Sequence, residues 1–63
     1  MKEVKAKDLR KNDSVLDVDD ISCSVVEIYE FDKDEMFLVL RGNNDGVKRI
    51  GTISKNAKVK KLE

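Results

Sequence analysis

Polar and apolar residues alternate along much of this chain, and the alternation sets the expected fold. Between Val15 and Phe31, Leu16 and Val18, then Ile21, Cys23 and Val25 are interleaved with Asp17, Ser22 and Ser24. That is the two-residue repeat of half-buried strands. Val25 and Val26 are adjacent, so the repeat changes phase there, and Val26 and Ile28 continue it with Glu27 outward. A slip of this kind predicts a bulge or a bent strand. Residues 31–35, FDKDE, read as an exposed turn.

The following stretch, MFLVLR at 36–41, is apolar on both faces, as in a central strand covered on both sides, with Phe37 in the core. GNNDG at 42–46 tolerates positive φ and makes a hairpin. In 47–53 the apolar residues Val47, Ile50 and Ile53 recur every third position, but β-branched content and Gly51 argue against a helix. NAKVKKL at 56–62 offers Ala57, Val59 and Leu62 as inward residues, with a second phase change near Lys60. The expectation is an all-β fold of about five short strands, with one helical turn at 54–57 before the last strand. At this length, strands joined by tight turns are expected to close into a small barrel, which removes exposed edges.

Residues 4–18, VKAKDLRKNDSVLDV, the bent strand after them and the closing NAKVKKL carry a resemblance to SH3-like small barrels, such as KOW-type modules and the N-terminal domain of translation elongation factor P, and to many uncharacterised phage and bacterial proteins. Leu9 and Asp13 occupy the places of a Leu and of the Asp of a Gly-Asp turn, while Asn12 stands where Gly is usual. Asn tolerates the left-handed conformation, so the turn survives. The resemblance implies a five-stranded SH3-like barrel that binds nucleic acid or protein, with the first and last strands as neighbours; it transfers no residue role.

Length narrows the function classes. A 63-residue chain makes a single domain, 1–63, and hides only about 60% of its unfolded surface. A large catalytic cleft is not expected of it. Cys23 is the sole cysteine and lies in an alternating stretch, so it reads as a buried, inert thiol. With no His, the usual base for a nucleophile is missing, and carboxylates in turns keep ordinary acidity, so no enzyme activity is expected. One Cys and no His cannot make a structural zinc site, and the Asp-rich loops lack calcium-loop spacing, so neither metal nor cofactor is expected. No run approaches 18 apolar residues and the first residues lack an apolar block, which predicts a cytoplasmic protein without a membrane partner.

Charge is zero overall but strongly sorted: residues 1–12 carry +3, residues 13–35 carry −8, and residues 36–63 carry +5. Lys5 and Lys7 are expected outward on the first strand, beside Lys58 and Lys60 of the last, as a basic face. Arg41, Lys48 and Arg49 flank the hairpin turn as a cationic tip. Asp17, Asp19, Asp20, Glu27, Glu30, Asp32, Asp34 and Glu35 supply an acidic face. Two binding readings follow: a protein partner, drawn by a bipolar surface and including phage-type inhibitors that mimic nucleic acid, or RNA or DNA bound on the basic face. The first is preferred because the pI near 6.3 is low for a polyanion binder. No small-molecule substrate is expected, and the chain acts as a monomer or as a homodimer, for which Tyr29 and Phe31 are candidate contacts.

Overall fold

The computed structural model describes residues 1–62. Among the described residues six strands form one antiparallel sheet: β1 (Lys2–Lys5), β2 (Ser14–Leu16), β3 (Ser22–Glu30), β4 (Glu35–Gly42), β5 (Lys48–Ser54) and β6 (Lys58–Leu62). A 3-10 turn at Ala6–Asp8 follows β1. Strand order across the sheet is β1-β6-β2-β3-β4-β5. The all-β expectation is met. The five-strand barrel is not: there are six strands, and β1 and β5, the two edges, form no ladder with each other, so the sheet stays open. The helical turn also lies elsewhere, after the first strand. Residues 54–57 form a plain turn in which the Ala57 N–H donates to the Ser54 carbonyl at 3.0 Å.

The first and last strands do pair, Val4 against Val59 and Lys5 against Lys58. β3 is long enough to pair with β2 at its start and with β4 along its length, and the β3–β4 register shifts between Val25 and Glu27. Val26 is thus the bulge that the Val25-Val26 slip predicts. Asn12 takes a φ of 75°, as its place in the turn requires, and its N–H donates to the Val25 carbonyl at 2.8 Å.

The core is small: Ala6, Leu9, Val15, Cys23, Val25, Met36 and Leu38. Val15, rather than Leu16 or Val18, is the inward residue of the second strand, and Val18 is 99% exposed in the following loop. The repeat breaks there because Asp17 takes over the loop: its Oδ1 accepts from the Asp19 and Ile21 N–H groups at 2.8 and 3.0 Å. No register shift marks β6 near Lys60. The inward position after Val59 is taken by Lys61, whose half-buried stem carries its ammonium to 3.7 Å from Asp13. No helix among the described residues is long and apolar enough to cross a membrane.

Candidate functional site

Antiparallel register assigns each residue of the hairpin β4–β5 to a face, because directly opposed residues share one. Arg41 opposes Lys48, Val39 opposes Ile50 and Phe37 opposes Thr52 on the outer face; Leu40 opposes Arg49, Leu38 opposes Gly51 and Met36 opposes Ile53 on the inner face. The expected cationic tip is therefore split. Arg41 and Lys48 stand together outside, whereas Arg49 is turned inward, its Nε 2.9 Å from Asp17 Oδ2 and its Nη2 3.2 Å from Asp45 Oδ2.

This Asp17–Arg49–Asp45 cluster is a structural clamp. Asp45 Oδ1 also accepts from the Val47 N–H at 2.9 Å, and the Gly46 N–H donates to the Gly42 carbonyl at 3.0 Å. Gly46 supplies a φ of +68°. Gly42 is required for another reason: a Cβ there would sit 2.0 Å from Asp45 Oδ1. The Arg49 hydrogen bond, with the Val47 N–H next, holds the Asp45 carboxyl below its ordinary value. Cys23 lies opposite Gly42 at the edge of this cluster, fully buried. Burial first, then the nearby Asp17 charge, pushes its thiol up. A raised thiol is a poor nucleophile.

The acidic residues do not form one face. Asp17, Asp19 and Asp20 lie in the β2–β3 loop; at the other end of β3, Asp32 and Asp34 lie in the turn before β4 and Glu35 opens β4. Asp32 is occupied by its own turn, accepting from the Asp34 and Glu35 N–H groups at 2.8 Å each. Glu27 pairs with Lys11 at 3.4 Å and Glu30 with Lys55 at 2.6 Å. Of the basic face, Lys5 and Lys58 do oppose each other, but Glu3 opposes Lys60, and Lys7 belongs to the 3-10 turn rather than to the first strand.

Two features escape the sequence. One is an open groove of about 590 Å³ between β5 on one side and β6 with the β2–β3 loop on the other. Val15, Leu38, Leu40, Ile53 and Val59 give it an apolar lining, while Asp19 and Asp20 on the loop and Lys58 and Lys60 on β6 charge its rim. The other is the uncovered outer face of β3–β4–β5. Phe37, expected in the core, is only half-buried there, and Tyr29 and Ile50 are exposed. No local signal marks the groove, because it exists only where the ends of the sheet fail to meet. The run MFLVLR did signal the outer face, but an apolar strand reads the same whether one side or both are covered. No family model and no curated protein matches the chain, so the site rests on its geometry alone.

Proposed function

We propose that this protein is a non-catalytic interaction module that binds a segment of another protein as an added strand along β5, beside the open groove. The observation that supports this reading is the contrast between the two sheet edges. β1 is four residues long with Lys at both ends, a device that discourages pairing. β5 is seven residues long, and its stretch Ile50–Ser54 carries no charge. The Gly42 N–H donates to the Val47 carbonyl, so by the alternation of an antiparallel ladder the N–H and C=O groups of Ile50 and Thr52 face away from β4. An extended segment there gains main-chain hydrogen bonds, and every second side chain enters the groove. Asp19 and Asp20 on the loop and Lys58 and Lys60 on β6, with Lys60 3.9 Å from Asp20, put both signs of charge on the rim opposite β5, which orients the segment. This agrees with the binding role that the SH3-like resemblance implies, without a closed barrel. A buried thiol and a chain without His support a role without chemistry.

The test is selection of displayed peptides against the immobilised protein, with and without nuclease. Peptides that survive nuclease, shift the amide resonances of Ile50 and Thr52, and lose at least ten-fold in affinity to Thr52→Pro support the reading. A selection that yields no binder, or binders indifferent to Thr52→Pro, removes it. A second reading, nucleic acid bound on the first and last strands, is favoured by Lys5 standing opposite Lys58. It predicts oligonucleotide binding at low salt that weakens steeply as salt is raised and is lost in Lys5→Glu with Lys58→Glu.

A further inference from the structure

We propose that the outer face of β3–β4–β5 pairs with the same face of a second copy, about a two-fold axis that runs across the strands. The apolar lining of the groove points to the opposite side of the sheet and only Ile50 and Thr52, on the β5 edge, border both, so the proposal does not rest on strand addition. The face is apolar in the middle and oppositely charged at its ends. Val39 between Ile50 and Glu27, whose charge Lys11 neutralises at 3.4 Å, makes one central row, and Phe37 between Tyr29 and Thr52 makes the next. Tyr29 is 54% and Ile50 59% exposed. Arg41 and Lys48 occupy one end and Glu35, preceded by Asp34, the other. None of these four has an ion-pair partner among the described residues. Asp45, the acid closest in sequence to the basic end, is turned to the inner side by Arg49.

Charge selects the axis. A two-fold along the strands would stack Arg41 and Lys48 on their own copies. An axis across the strands reverses their direction, so Arg41 of each copy lies over Glu35 of the other, and the Phe37 row of each covers the Val39 row of the other. Three strands ~4.8 Å apart and the eight residues of β4 make a face on the order of 14 by 26 Å. That is below the size of stable interfaces, so the dimer is weak, in the micromolar range or above, and salt-sensitive.

Sedimentation equilibrium of the whole chain, from micromolar to millimolar concentration, tests the proposal. The wild type is expected to dimerise, with dissociation at least ten-fold easier in Ile50→Asp, in Arg41→Glu with Lys48→Glu, and in Asp34→Lys with Glu35→Lys. These side chains are exposed or half-buried at the surface, and circular dichroism checks that each variant keeps its sheet. Mixing the two charge-reversed proteins restores a dimer, because one then has two acidic ends and the other two basic ends. A wild type that stays monomeric at millimolar concentration, a dimer unaffected by Ile50→Asp, or charge-reversed proteins that fail to pair when mixed would overturn it. So would a dimer lost in Thr52→Pro but kept in Ile50→Asp, since that dimer joins edges and not faces.

Discussion

The inner and outer faces of the β3–β4–β5 sheet are built from the same three strands, yet they differ in what covers them. On the inner face Val25, Met36 and Leu38 are at most 7% exposed. On the outer face Tyr29 and Ile50 remain more than half exposed. The inner face is the more apolar, yet Phe37, Val39 and Ile50 stand on the outer face, so apolar side chains alone do not decide which side is covered. The difference comes from the connections: β3 bends at the Val26 bulge, which lets β2, β6 and the segment through Ala6 and Leu9 fold over one side only. A face is made a core by what the rest of the chain can reach.

That contrast can be broken by substitution, and the largest effect falls on the covered side. Val25→Ala leaves a cavity among fully buried neighbours and is expected to cost about 2 kcal/mol in urea denaturation, a large share of the stability of so small a domain. Ile50→Ala, measured below the concentration at which copies pair, is expected to change stability by no more than about 0.5 kcal/mol. Equal losses at the two positions would show that the outer face is covered too.

At the rim where the two faces meet, Gly42→Ala is expected to cost about 1–3 kcal/mol, because the new methyl occupies the place of the Asp45 carboxylate and opens the clamp on Arg49. Thermal melting alongside Asp45→Asn separates the causes. Smaller losses in the Asn variant than in Gly42→Ala place most of the cost in the overlap.

The clamp also carries a pH signature. Asp45 titrates lower in the folded chain than in the unfolded one, so its contribution is complete above the ordinary aspartate value of about 3.9 and is lost as pH falls from there through the folded value. The turn is therefore expected to be unchanged from neutrality to about pH 5 and to loosen below about pH 4, followed by the Gly46 and Val47 amide resonances. Asp45→Asn should flatten that profile. The smallest expected signal is at Cys23: its buried, raised thiol should resist alkylation in the native state and react at the ordinary rate in denaturant, read by mass spectrometry. Native labelling as fast as denatured would mean that the inner face opens readily.

Much of the strand content was legible because it depends on neighbours in sequence. The Val25-Val26 slip announced the bulge, Asn12 announced a left-handed turn, and GNNDG announced the hairpin. Legibility failed where a polar side chain served its own backbone or a distant partner. Asp17 folds its loop back on itself and leaves Val18 in solvent, and Arg49 is drawn inward by Asp17, a residue 32 positions earlier that nothing local connects to it. The candidate sites divide along the same line. Lys5 facing Lys58 followed from pairing the ends, whereas the separation of Arg41 from Arg49 required the register.

Alternation, bulge and turn chemistry were decided by the sequence itself, since a period of two and a positive φ are properties of adjacent residues. Whether the sheet closes, which of its faces is covered, and which charges are neutralised were decided only by the tertiary structure. Each of these depends on how twist and bend accumulate over six strands, and a small error in either moves the two edges apart or together.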